Sequence, residues 1–283
     1  IVHFHFPWPF SDLLKFVSRD KTPSVMTYHS DVIGKGLLGY IYKPIMRKML
    51  HSIDRIVPTS QNYASTSQDL SQIPVDKVTI IPLGINEATY EATLVENDDI
   101  DVCKEYDLNE GRFFFFVGAN RIYKGLETLV KAASNVECEI VIAGKDTDKK
   151  YGIPSENLNN VRFLGYISDR VKMALMAKCR AVVLPSTMRS EAFGMVLVEA
   201  SMMGKPMITT EIGTGTSFVN INKVTGLTVE PNNVSNLIEA IKKLYYDGDM
   251  AHSFGVAARE RYKTELSGDI MGRKYADLYN LLV

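Results

Sequence analysis

Short runs with no polar face alternate with helical patterns along almost the whole chain. That alternation is the strongest constraint on its fold. RFFFFV (112–117) is apolar after its leading arginine, and AVVLP (181–185) is apolar throughout. A strand with one face in water carries polar residues at alternate positions. Strands apolar on both faces belong to parallel sheets covered by helices. Strands are expected over 1–6, 24–28, 54–58, 77–81, 112–117, 138–143, 161–164, 180–184 and 206–209. Helical patterns cover 8–19, 36–51, 61–69, 124–134, 169–178, 195–204, 234–247, 249–263 and 267–282. This order of elements defines the α/β class.

A chain of 283 residues is long enough for roughly two domains. The segment INEATYEATLVENDDIDVCKEYDLNEG (85–111) is polar and acidic, and sits between IIPLG and RFFFFVG. It reads as a linker with one short helix. Residues 112–266 hold enough β/α units for a complete doubly wound domain. Residues 1–84 hold about three units and a closing strand, the second half of a similar domain. The division is placed at 1–92 and 93–266. The chain starts IVHFHFPWPF, inside an apolar run and without methionine, so a further N-terminal part of the parent protein is expected upstream.

Hydrophobic residues make up 46% and charged residues 23%, the balance of a soluble globular protein. A net charge of −1 argues against a general nucleic-acid binder. Residues 1–60 nevertheless carry eight Lys/Arg against four Asp/Glu, a local +4. Lys43, Arg47 and Lys48 lie on a helical stretch with an apolar face, followed by Arg55. The simple reading is a helix packed on a sheet with a solvated basic face; weak peripheral contact with anionic lipid is the second use of such a region. Cys103, Cys138 and Cys179 match neither a zinc site nor a CxxC pair and read as reduced structural thiols, placing the protein in the cytoplasm. No apolar run reaches the ~18–20 residues needed to span a bilayer.

SEAFGMVLVEA (190–200) sets Glu191 and Glu199 eight positions apart, just over two helical turns. If Gly194 starts a helix, Glu191 lies in the loop before it and Glu199 on its second turn. The amides of Phe193, Gly194 and Met195 are then free to meet an anion. The loop follows the C-terminal end of AVVLP, where open α/β sheets bind ligands. A carboxylate on a buried face needs hydrogen-bond donors. A ribose diol can supply two to Glu199; a core arginine or a neighbouring loop can do the same. Spacing alone does not choose between them.

The string Glu191-Ala192-Phe193-Gly194 followed by Glu199 resembles the EX7E motif of retaining GT-B glycosyltransferases of family 4. FVGANRIYKGLETLVKA, VRFLGYIS, AVVLPS, VEASMMGKPMITT and TGLTVEP follow in that family's order. Upstream, VHFHFPWP, VMTYHSD, IDRIVPTS and IIPLGI are similar to the later part of its N-terminal domain. The resemblance spans nearly all of the chain. It implies two Rossmann-like domains facing a cleft, the N-terminal one incomplete here, with helix 267–283 returning to pack on it. It also implies transfer of a hexose from a GDP- or UDP-sugar to a glycan or lipid-linked acceptor, with retained anomeric configuration. No metal or other cofactor is expected. The glycine-rich text at 211–220 is similar to bacterial surface-polysaccharide transferases, often mannosyl-type.

By the same resemblance, Glu191 contacts the transferred sugar and Glu199 binds the ribose. Gly118 and the amides of Phe193, Gly194 and Met195 line the donor site, and the backbone at Ile167 meets the base. Arg121 and Lys124 receive the departing diphosphate. Many members place arginine directly after the strand glycine, where this chain has Ala119; Arg121 is taken as its substitute. Cations at a helix start oppose the helix dipole, which favours a functional use of both. His29, which read alone is a strand-end cap, is implied to reach the donor across the cleft, and His5 to lie on the acceptor side. His3 and His5 share one strand face, but two ligands are too few for a metal. EIGTGTSFVN (211–220) is not a strand-GxGxxG-helix; it reads as a loop beside the cleft and disfavours a dehydrogenase. Two rivals remain: a non-catalytic nucleotide-sugar binder and a transferase with a soluble acceptor.

Overall fold

The computed structural model describes residues 1–17, 21–32, 36–90, 101–148 and 158–283. The expected domain division at 92/93, the middle of the expected linker and the last residues of the expected helix 8–19 lie outside the described residues.

The N-terminal lobe runs β1 (Val2–Phe6), α1 (Pro9–Val17), β2 (Ser24–Tyr28), α2 (Gly36–Ser52), β3 (Arg55–Pro58) and α3 (Gln61–Thr66). The three strands pair in chain order and in parallel. Residues alternate between the two sheet faces. Met26 and Tyr28 pack with Phe6, Met49, Leu50 and Ile56 on one face. Val25 and Val57 face the other way, joined by Ile81. The expected strand 77–81 is reduced to one bridge, Val78 to Ile56, with Thr79 and Ile81 donating to Ile56 and Pro58. A 3-10 turn at Val75–Lys77 precedes it and Pro82, which has no N–H, follows it.

The C-terminal lobe begins with α4 (Val102–Glu105), whose Val102 is buried in this lobe's core. Then come β4 (Phe113–Val117), α5 (Leu126–Ala133), β5 (Glu139–Ala143), β6 (Val161–Gly165), α6 (Asp169–Lys178) and β7 (Ala181–Leu184). The rest is α7 (Met195–Met202), β8 (Met207–Thr210), α8 (Gly215–Val219), β9 (Gly226–Val229), α9 (Val234–Tyr246) and α10 (Gly248–Arg261). The six strands are parallel in the order β6-β5-β4-β7-β8-β9. The four phenylalanines of β4 are fully buried at the centre. Two elements were not expected: β9, and α8 inside the stretch read as a loop.

After α10 a π-helical turn (Tyr262–Leu266) leads into α11 (Gly268–Asn280). Leu278 of α11 is buried against Val25, Val57 and Ile81, so the last helix covers the outer face of the first sheet. The two crossings between lobes pair with each other. Ile85 N–H donates to Leu266 O (3.2 Å) and Gly268 N–H to Ile85 O (2.7 Å). A Cβ on Gly84 would sit 2.4 Å from Ser267 O, so the backbones touch there.

Candidate active site

In a doubly wound sheet, consecutive strands move outward in one direction and then in the other. The loops leaving the two central strands therefore part and leave a crevice at their C-terminal ends. Here those strands are β4 and β7. The loop after β4 carries Gly118, Arg121 and Lys124; the loop after β7 carries Ser186 and Glu191. Lys124 Nζ lies 2.6 Å from Glu191 Oε2, bridging the switch point. Ser186 Oγ donates to the same oxygen at 3.2 Å. Glu191 is only 8% exposed. A carboxylate that far from water needs such donors.

Backbone packing fixes the two loops together. Thr187 N–H donates to Tyr123 O at 2.7 Å. Gly125 adopts a left-handed conformation (φ 68°), and a Cβ there would fall 1.9 Å from Pro185 O. Gly118 gives the Lys124 stem its path, since a Cβ at 118 would lie 3.2 Å from Lys124 Cδ. The loop after β8 braces the other side of Glu191. Thr214 Oγ1 donates to Glu191 O (2.8 Å) and Gly215 N–H to Ala192 O (2.8 Å). A Cβ on Gly215 would meet Phe193 Cδ2 at 2.4 Å. This contact accounts for α8 forming in a glycine- and threonine-rich stretch of low helix propensity.

Gly194, left-handed at φ 81°, starts α7. The amides of Phe193, Gly194 and Met195 donate to no protein group among the described residues. They add to the positive end of the α7 dipole beside Lys124 and Glu191. Arg121 is exposed and precedes the 3-10 turn Ile122–Lys124. Its side chain has no hydrogen-bond or ion-pair partner among the described residues.

Glu199 sits one helical turn further along α7 and is held by protein groups. Lys172 Nζ of α6 lies 2.8 Å from Glu199 Oε1, and Tyr90 Oη donates to the same oxygen at 3.1 Å. The partner is a lysine rather than the core arginine weighed from sequence. Burial pulls the Lys172 ammonium down, but Glu199 and Asp169 outweigh it and its pKa is raised. Tyr90 is raised by burial and then by Glu199. Ile167 lies between β6 and the N-cap Ser168 of α6, half-buried against the core. It is at the same strand-end edge, on the far side of β5.

The N-terminal lobe contributes His29 at the end of β2. His5 Nδ1 lies 2.9 Å from His29 Nε2 and the two rings stack at 5.2 Å. His3 stacks on His5 in turn (4.9 Å). His3 Nδ1 meets Tyr279 Oη of α11 at 2.6 Å and His3 Nε2 meets Thr27 Oγ1 at 2.8 Å. Burial, then the neighbouring His5 and His29, pushes His3 down to about 4. His29 is lowered by burial and by His5. Among the described residues no group of three His, Cys, Asp or Glu could hold a metal ion.

Sequence reasoning missed Ser186, Thr214, Lys172 and Tyr90. Ser186 had a signal: a small polar residue just past a buried strand, five positions before a buried carboxylate. Lys172 and Tyr90 had none, because their partner is 27 and 109 residues away.

A six-stranded doubly wound lobe and a second parallel-sheet lobe, with Arg121, Lys124 and the α7 N-terminus at the switch point of the first, have the architecture of the GT-B fold. Comparisons with known proteins lead to the family. Residues 103–261 match the family model "Glycosyl transferases group 1", and residues 1–89 match "Glycosyltransferase Family 4". O-antigen chain mannosyltransferase C of Escherichia coli is 37% identical over 100% of this chain and 76% of its own length. D-rhamnosyltransferase WbpZ of Pseudomonas aeruginosa is 40% identical over 93% of this chain and 68% of its own. HepE of Anabaena, solved in complex with UDP, superposes with a TM-score of 0.81 at 17% identity, covering 99% of this chain and 78% of that one. A glycosyltransferase of Rickettsia africae superposes at 0.77 with 22% identity, covering 100% and 77%. The chain belongs to the group 1 glycosyltransferases of family 4, and it is a glycosyltransferase.

Proposed function

We propose that this enzyme moves a hexose from a nucleotide-sugar donor to a glycan or lipid-linked acceptor in the synthesis of bacterial surface polysaccharide, with retention at the anomeric carbon. The observation that carries the reading is the pairing of Lys124 with the buried Glu191 at the β4/β7 switch point, beside the free amides of α7. Glu191 orients the sugar and Lys124, with Arg121, faces the diphosphate. The bond between the anomeric carbon and the diphosphate breaks, and the acceptor hydroxyl attacks from the same face. Its proton passes to the departing phosphate oxygen. Fixed cations and amides lower this barrier because negative charge develops where they already point. His29 completes the sugar pocket from the other lobe. The reading needs no metal in the step. The names of the two curated relatives support a mannosyl- or rhamnosyl-type transfer for O-antigen.

Titration calorimetry with GDP, UDP and ADP on the wild type and on Glu199→Ala tests the donor side. Saturable binding of one nucleotide, weakened roughly 10-fold or more without the ribose carboxylate, is expected. Equal binding by the variant would remove Glu199 from the site. We place the enzyme in the cytoplasm, touching the membrane peripherally. Lys43, Arg47 and Lys48 are exposed on α2, and among the described residues no helix is long and apolar enough to cross a bilayer. Co-sedimentation with anionic but not neutral vesicles is the expected result; equal recovery with both would count against it.

A further inference from the structure

The two loops that hold His29 and Glu191 are joined to each other by a side chain that neither the fold nor the site chemistry requires. Arg189, two residues before Glu191, reaches from the C-terminal lobe to Asp31, two residues after His29. Its Nη2 and Nε lie 3.0 and 3.3 Å from Asp31 Oδ2. Its Nη1 donates to Thr66 Oγ1 in the N-terminal lobe (2.6 Å) and to Gly213 O in its own lobe (3.0 Å). The guanidinium lies 4.6 Å over the Tyr63 ring. Asp31 is prepared for it: Tyr28 Oη and Ser67 Oγ donate to Oδ1, and Asp31 N–H donates to Tyr63 Oη. Oδ2 is left facing the other lobe. The planar guanidinium suits this site because one group can serve a carboxylate, a hydroxyl, a carbonyl and a ring face together.

We propose that Arg189 and Asp31 form an interlobe latch that sets the placement of Glu191 relative to His29, which makes Arg189 a positioning residue for sugar transfer. The proposal rests on the roles given above to His29 and Glu191. Each latch residue is two positions from its partner in the site, at most about 7 Å of chain, so loss of the latch is passed to both loops with little slack. Two smaller contacts lie alongside: Thr66 Oγ1 to Gly213 O (2.6 Å) and Asn62 Nδ2 to Ser217 Oγ (3.1 Å). All are polar and partly wet, the make-up of a surface that closes and reopens. The nucleotide side, Lys172, Glu199 and the α7 amides, lies within one lobe and does not depend on the latch.

The test is a double-mutant cycle of Arg189→Ala and Asp31→Asn, with Arg189→Lys as the conservative variant. Nucleotide affinity and solution X-ray scattering are measured beside transfer kinetics. Each single change is expected to lower kcat roughly 10–100-fold, the scale of a misplaced reacting group. The KM for donor and the nucleotide Kd should stay within about 3-fold, and the double variant should fall no further than the singles. Arg189→Lys should recover part of the rate. Scattering from Arg189→Ala is expected to show a larger radius of gyration. Wild-type kcat in a folded Arg189→Ala protein, multiplying losses in the double variant, or unchanged scattering would each overturn the latch. A latch-dependent change in scattering, in a protein where Lys124→Ala and Glu191→Gln transfer normally, would instead retain the latch and remove the catalytic reading.

Discussion

Gly125 shows how one residue can hold two halves of a site. Its φ of 68° belongs to the left-handed region, and Pro185 O occupies the place where any Cβ would go. Both penalties apply to every other amino acid. Gly125→Ala is expected to cost about 2–4 kcal/mol by strain and overlap. It should also separate Lys124 from Glu191, so transfer should fall further than nucleotide binding. Urea unfolding and kinetics on the same preparation check this; a variant of wild-type stability would show that the loops have room to part. The sequence singled out Lys124 and both glutamates because their residue types are out of place for a helix start or a buried face, and the family resemblance supplied their roles. It could not display the 2.6 Å pairing of Lys124 with Glu191, which depends on how two strands are ordered in the sheet.

At the scale of elements, β1, β2 and α11 meet in the stack of His3, His5 and His29. At His3 and His29 an added proton faces burial and a neighbouring imidazole. His3 titrates near 4 in the fold, against about 6.5 when unfolded. The unfolded chain therefore takes up the proton at higher pH, and this contribution to stability is complete above about 6.5 and fades as pH drops toward 4. The melting temperature is expected to fall over that window, and His3→Gln, which carries no titrating ring, should flatten the slope. An identical slope in the variant would exclude the stack as its cause. Elements whose burial is two-sided, such as β4 and β7, were readable from composition. β9 (GLTV) and α8 (GTSFV) were not, because both are short and glycine-led and tertiary packing decides their state. For the expected strand 77–81, the apolar pattern was real but the flanking 3-10 turn and Pro82 limited it to one bridge.

Across the whole molecule, the lobes are joined by paired crossings at Ile85 and Gly268 and by the latch at Asp31. The crossings are backbone bonds that a rigid-body rotation can keep; the latch is made of side chains that it must break. If the lobes move, the contacts predict a hinge with the crossings as its fixed side and the latch as the side that opens. The return of α11 has a different effect, on the order in which the protein is made. β3 ends at Pro58 and α11 begins at Gly268, 210 residues later. A ribosome needs roughly 10–40 s to cover that distance. For most of that interval Val25, Val57 and, once it is made, Ile81 have no Leu278 to cover them. The N-terminal lobe is thus finished only after the C-terminal lobe has been made, and this face of its sheet stays uncovered until α11 arrives.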